Sequence, residues 1–279
     1  MNIGIDLGGT KIKAGLEVNG KILHPTKALL KEKDSLSSTI DQVFKLIEAL
    51  IPYKPTGIGI GVPSVVDVKK GIVYNVTNIP SWKKVELKQI LQKKFNLPVF
   101  VNNDVNCYTL GEYKFGVGRG FNSLVGMSIG TGLGSGLIIQ NKLYTGNNCG
   151  AGEIGLLPYK DHNIEYYASG HFFDRFCHTS AFKAYEEALT GNPQALAQWE
   201  EFGFHFGAAV QAVLYAFDPE AIVIGGSVSK AYEFFEGAMY KSFNAFIYPE
   251  SLKRLKIYRS TNDNIALLGA AGLVDLPLK

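Results

Sequence analysis

Residues 2–7 read as a short apolar strand, and after a glycine turn a second strand runs to Val18, where Asn19-Gly20 supplies the left-handed pair of a tight hairpin. Ile40, Val43, Phe44, Ile47, Leu50 and Ile51 recur at helical spacing and predict a helix from about Ser37 to Leu50, with serines available as caps. "GIGIGV" reads as a buried strand. Leu87, Ile90, Leu91 and Phe95 mark a second helix, and Pro98-Val-Phe-Val returns to strand before "NNDVN", from whose Asp104 the pattern turns helical. Further on, a long helix is expected over Gln194 to Phe217, a buried strand "AIVIGG" at 221–226, a helix from about Lys230, and a last one over Ile265 to Val274.

Residues 123–143, "SLVGMSIGTGLGSGLIIQNKL", repeat the opening design of strand, glycine turn, strand and tight turn. Ile5-Asp6-Leu7-Gly8-Gly9-Thr10 answers Met127-Ser128-Ile129-Gly130-Thr131-Gly132, and Asn19-Gly20 answers Asn141-Lys142. Two copies of one hairpin imply a duplicated, two-domain α/β fold. No proline-rich or charged linker separates the halves. The expected division is a small lobe of residues 1–102 plus 263–279 and a large lobe of residues 103–262.

Composition narrows this little. The 279 residues can bury a sizeable core, and 46% hydrophobic with 19% charged residues is a globular profile. A net charge of +3 without long basic runs gives no nucleic-acid footprint. No apolar run approaches a membrane span and no secretory signal pattern opens the chain, so no membrane partner and a cytoplasmic location are expected. Cys107, Cys149 and Cys177 are too scattered for a disulfide framework or an evident zinc site, and read as reduced, buried or half-buried thiols.

Glycine turns after strands leave backbone N–H groups free to converge on anionic oxygens. There are three here: Gly8-Gly9-Thr10, Gly130-Thr131-Gly132-Leu133-Gly134, and Gly225-Gly226-Ser227. One alone would as readily be structural; three together favour phosphate binding. No P-loop and no GxGxxG between a first strand and a helix is present, so the phosphates must be held in another way. Asp6, just before the first turn, can hold hydrated Mg²⁺ beside phosphate oxygens or satisfy turn amides. Lys11 has two open readings, a phosphate partner or a solvated lysine.

"DLGGTKIKAG", "NNDVN", "GMSIGTGLGSG", "AGEIG" and "DPEAIVIGGSVS", in this order, resemble the ROK family of sugar kinases over nearly the whole chain. The resemblance implies the two-lobed actin/Hsp70/hexokinase-type ATPase fold with an interlobe cleft. It implies ATP and Mg²⁺ as cofactors, a small-molecule sugar as substrate, and a homodimer. Asp104 becomes the general base toward a sugar hydroxyl, although the bare sequence equally allows a helix N-cap there. Asn103, Glu153 and Glu165 become hydrogen-bond partners of sugar hydroxyls, with Ser64 and Asn78 facing the sugar. Gly8, Gly9, Thr10, Gly130, Thr131 and Gly132 would hold phosphates, and Gly225 and Gly226 would border the adenosine.

The chain departs from the family pattern after "AGE". Leu156 stands where most ROK kinases carry a histidine that touches the sugar and binds a structural zinc, and only "LPYKDHNI" separates Leu156 from Glu165. No zinc is expected, because His162 alone cannot form a tetrahedral set and His171 and His178, i and i+7 on an expected helix beside Cys177, read better as ordinary histidines. Leu156, Leu157, Pro158, Tyr159 and Ile164 would hold the loop by apolar packing. The implied function is a glucokinase-like kinase acting on the 6-hydroxyl of an aldohexose, glucose first. The alternatives are an N-acetylmannosamine, N-acetylglucosamine or β-glucoside kinase, polyphosphate as donor, or a sugar-responsive regulator. The first glycine turn starts at Gly8, so no DNA-binding domain is expected ahead of it.

Overall fold

In the computed structural model residues 1–276 are described, and the chain divides into two compact units. The first comprises Met1–Gly120, Lys142–Ala151 and the chain from Asn262 onward; the second comprises Phe121–Asn141 and Gly152–Thr261.

The first unit opens with β1 (Asn2–Leu7), β2 (Lys11–Val18) and β3 (Lys21–Leu29), followed by α1 (Leu36–Glu48) and β4 (Ile58–Val62). Asn19 at φ 49° and Gly20 at φ 76° form the expected left-handed pair between β2 and β3. A small antiparallel sheet of β5 (Val65–Asp67), β6 (Ile72–Tyr74) and β7 (Lys84–Val85) leads to α2 (Leu87–Phe95), β8 (Val99–Asn103) and α3 (Asp104–Phe115). Ser35 caps α1 by accepting from the Ser38 amide. The main sheet has the order β3-β2-β1-β4-β8: β1 runs antiparallel to β2 and parallel to β4, and β4 parallel to β8. Ile3, Ile5, Leu7, Ile58, Ile60, Val62, Val99 and Val101 alternate along its parallel strands and are buried on one face, while on the other Gly4 and Gly59 let the Leu267 and Ala270 carbonyls approach the sheet.

The second unit repeats the plan. β9 (Leu124–Ile129) and β10 (Leu133–Ile139) form the hairpin answering β1 and β2, and β11 (Lys142–Tyr144) follows in sequence. A short hairpin of β12 (Pro158–Tyr159) and β13 (His162–Asn163) leads into α4 (Ile164–Tyr167), α5 (His171–Phe176), α6 (Ala181–Leu189) and α7 (Pro193–Phe217). β14 (Ala221–Gly225), α8 (Tyr232–Ser242), α9 (Pro249–Arg254) and β15 (Lys256–Arg259) follow, and α10 (Ile265–Gly272) returns the chain to the first unit. The second sheet, β11-β10-β9-β14-β15, matches the first in strand order, and β10, β9, β14 and β15 match their counterparts in direction. The second tight turn carries its left-handed pair at Gln140 (φ 51°) and Asn141 (φ 64°), one residue earlier than expected. Phe172, Phe173, Trp199, Phe202, Phe206 and Phe235 are all fully buried and form an aromatic core in this unit.

Helix α3 belongs to the first unit, although its residues were expected in the larger lobe. The cause is close backbone packing. A Cβ on Gly111 would overlap the Ile265 carbonyl, and one on Gly269 would overlap the Cys107 carbonyl, so α3 and α10 lie backbone to backbone. Residues 277–279 of the expected small lobe lie outside the described residues.

Candidate active site

In the first unit Asp6 pairs in register with Gly61, and Gly61 with Asn102. These residues form a row near the carboxyl ends of three parallel strands, where open α/β sheets place their ligands. One residue past Asn102, Asn103 is the N-cap of α3: its Oδ1 accepts from the Val105 amide at 2.9 Å and the Asn106 amide at 3.2 Å. The cap reading of Asp104 is therefore replaced, since Asp104 is the first helical residue and its Oδ1 accepts from its neighbour Val105 at 2.9 Å. Asn103 Nδ2 donates to the Ser64 carbonyl at 3.4 Å, and the Ser64 hydroxyl donates to the Tyr74 carbonyl. Asn103, Asp104 and Ser64 are thus neighbours, all half-buried. Below them the Cys107 thiol is held well above its ordinary pKa, first by burial and then by the charges of Asp104 and Asp6, so both carboxylates lie within electrostatic reach of one buried sulfur.

The Asp6 side chain is one-quarter exposed and lies 3.8 Å from Lys13. Burial raises its pKa and Lys13 opposes that rise. A lone, partly exposed carboxylate of this kind suits Mg²⁺ bound through water rather than an all-protein cage. The first glycine turn is closed by the Gly8 amide donating to the Lys11 carbonyl at 2.9 Å. Asn78 is exposed, and its side chain lies against Gly9, where a Cβ would overlap it. That puts Asn78 beside the glycine turn rather than with Asn103 and Ser64. Thr10 and Lys11 are exposed.

The second unit's turn closes in the same manner, the Gly130 amide donating to the Gly132 carbonyl at 2.9 Å. The Gly8 and Gly130 amides, expected to face phosphate, are therefore spent inside the turns. The amides of Gly9, Thr10, Thr131 and Gly132 have no protein acceptor among the described residues. At Gly130 an added Cβ would come no closer than 3.8 Å to any protein atom, so packing does not require glycine there. Gly226, at φ 88°, has a sufficient structural reason: a Cβ would overlap the Ile129 backbone. Gly225 is buried at the end of β14, in register with Ser128.

Glu165, in the first turn of α4, accepts the Leu133 amide on Oε2 at 2.8 Å, directly over Gly132. Glu153 occupies the N-cap position of a 3₁₀ turn over Ile154–Leu156 without a side-chain capping bond. Its carboxyl is held above the usual range, first by desolvation and then by the charge of Glu165. The two glutamates are thus electrostatic neighbours. Leu156 is 59% exposed and Leu157 42%, so neither holds the intervening loop. Pro158 is exposed too, and what holds the loop is Ile164, 3% exposed, and Tyr159, both expected, the latter within an aromatic cluster around His205 that the sequence did not reveal. The Tyr159 hydroxyl lies 3.1 Å from His205 Nδ1, and Tyr167 packs between His205 and Phe176. Burial, and then the charge of Lys160, lower the His205 pKa to about 4. Helix α5 ends at Phe176 and His178 takes φ 52° outside it, so the helix expected to carry both His171 and His178 stops short of His178.

The family model described as the ROK family matches residues 2–276. The chain belongs to the ROK family. Its ROK relatives include the glucokinase of Thermotoga maritima, 30% identical over 98% of this chain and 96% of that protein. The xylose repressor of Bacillus subtilis is 28% identical over 98% of this chain and 76% of the repressor. Among solved structures, a ROK family glucokinase from Streptomyces griseus in complex with glucose and AMPPNP superposes with a TM-score of 0.83 at 28% identity, covering 98% of each chain. The fold is the two-domain, mixed α/β ROK/hexokinase-type fold, and the two five-stranded sheets are its two halves. No helix among the described residues is long and apolar enough to cross a membrane.

Proposed function

We propose that this protein is an ATP-dependent sugar kinase that transfers the γ-phosphoryl group to the 6-hydroxyl of an aldohexose, with glucose as the first substrate to test. The observation that carries the reading is Asp104: a half-buried carboxylate at the first position of α3, beside the Asn103 cap and past the carboxyl end of β8. It is supported by similarity to glucokinases along nearly the whole chain.

A sugar hydroxyl is a poor nucleophile at neutral pH. In this reading Asp104 accepts its proton as the oxygen attacks phosphorus, a contribution of roughly 10² to 10⁴ in rate. The Val105 amide, donating to Oδ1, orients the carboxylate at the N-terminus of α3, where the helix dipole favours negative charge. The second Nδ2 hydrogen of Asn103 and the Ser64 hydroxyl oxygen are available to neighbouring sugar hydroxyls. Glu153 accepts from hydroxyls through both oxygens, and Glu165 through Oε1, since Oε2 is engaged by Leu133. The amides of Gly9, Thr10, Thr131 and Gly132 hold phosphate oxygens, with Lys11 as a partner, and Gly225 and Gly226 border the adenosine. Asp6 would hold Mg²⁺. When bound, that ion neutralises charge developing on the phosphate oxygens. A homodimer in the cytoplasm belongs to the same proposal and rests on family membership alone.

The similarity to a xylose repressor makes the competing reading a sugar-binding regulator without turnover. Coupled ADP release across glucose, mannose, fructose, N-acetylmannosamine, N-acetylglucosamine and a β-glucoside decides between them. Sugar-dependent release is expected with glucose; no release with any sugar would leave the regulator.

A further inference from the structure

Cys149 occupies a position that suits a different residue. Its backbone takes φ 58°, in the left-handed region where a residue with a Cβ is strained and glycine is not. Yet its side chain is 5% exposed and directed into a polar knot. The thiol lies 3.4 Å from Asn102 Oδ1, to which it donates, and 3.6 Å from Asn106 Nδ2, from which it accepts. Asn102 Oδ1 also accepts the Asn103 amide at 2.8 Å and Asn106 Nδ2 at 3.0 Å. Asn102 and Asn106 are 3% and 2% exposed, so each of these groups depends on the others for its partners.

One amide oxygen thus receives three donors: the backbone of the residue before Asp104, a side chain one turn into α3, and the thiol. Asn102 and Asn106 bracket the Asn103-Asp104 dipeptide, and the thiol fixes the Asn102 amide that in turn fixes the Asn103 N–H. We propose that Cys149 is a positioning residue, which acts through Asn102 and Asn106 to set the strand-to-helix corner presenting Asp104. The kinetic part of this proposal rests on the kinase reading; the geometric part does not.

The test uses the full chain with Cys149→Gly, Cys149→Ser and Asn102→Ala. Glycine is at home at φ 58°, so Cys149→Gly relieves backbone strain while removing the thiol, and Ser restores a donor and acceptor. The expected result in Cys149→Gly is a kcat lowered about tenfold or more, because small misplacements of reacting groups are costly, with the sugar KM within about twofold and no loss of melting temperature. Cys149→Ser recovers most of the kcat. The double variant Cys149→Gly/Asn102→Ala is no slower than Asn102→Ala, since both act through one amide.

Hydrogen exchange at the Asn103 amide supplies a readout independent of activity: faster in Cys149→Gly by about tenfold and near wild type in Cys149→Ser. A wild-type protein with no sugar-dependent turnover would defeat the kinase reading and leave the exchange result to decide the geometry. Unchanged Asn103 exchange in Cys149→Gly, or full kcat in an active wild-type background, would overturn the proposal.

Discussion

The Glu165 carboxylate accepts the Leu133 amide at 2.8 Å, and so closes over the glycine turn that begins at Gly130. One side chain therefore serves two parts of the second unit. It spends Oε2 on the backbone of the turn, and in the proposed reading Oε1 receives a sugar hydroxyl. Replacing it by Gln keeps an amide oxygen for Leu133 and neutralises the charge. The sugar KM is expected to rise about tenfold in steady-state assays while the fold is retained.

The same replacement moves a titration. Glu153 ionises above its ordinary value of 4.5, in part because the Glu165 charge opposes a second negative charge. Sugar hydroxyls need the ionised carboxylate, so in the wild type the acid limb of kcat/KM lies above pH 4.5. Glu165→Gln removes a cause that raises the pKa, and the limb is expected to shift to lower pH. A shift to higher pH would contradict the assigned coupling.

Gly130 and Gly132 separate ligand approach from packing. An alanine at 130 meets no protein atom within 3.8 Å, whereas one at 132 overlaps the Glu165 carboxylate. Gly130→Ala is expected to keep the wild-type melting temperature and raise the KM for ATP. Gly132→Ala is expected to lower the melting temperature as well. Thermal denaturation beside ATP titrations reads both.

His205 makes stability depend on pH. Its folded pKa is lowered to about 4 against an ordinary 6.5, so the unfolded chain takes up a proton over a range in which the folded one does not. The contribution is complete above about pH 6.5 and is lost as pH falls toward 4, with a slope of at most about 1.4 kcal/mol per pH unit. His205→Gln, which keeps a partner for the Tyr159 hydroxyl, is expected to flatten denaturant-derived stability over that window.

Much of the fold was legible because it is written in local chemistry. Asn19-Gly20 announces a left-handed pair, and the apolar spacing in α1 and α2 marks the helices. The second hairpin was misplaced by one residue because Gln140 carries no turn signature. In the site, residue types could be read but commitments could not. Asn103 and Asp104 are both good caps, and the choice between them is made by where β8 ends. The Glu165 contact spans 32 residues and the Cys149 contact 47, distances over which a single sequence carries no pairing signal. Nothing in the pattern of α7 singled out His205, and Leu156 and Leu157 read as loop-packing residues. Their true places depend on the Lys160-Asp161 hairpin turn, which aims Tyr159 at His205 and leaves both leucines in water.

The central claim is that Asp104 is the base, and Asp104→Asn tests it most directly. The substitution keeps the Oδ1 acceptor for the Val105 amide, so the corner and the helix start are preserved. The measurement is ADP release under saturating glucose and ATP, with the melting temperature as control. The account predicts an unchanged melting temperature, a sugar KM within a few-fold of wild type, and a kcat lower by roughly 10² to 10⁴. Near-normal kcat in a folded Asp104→Asn protein would contradict it.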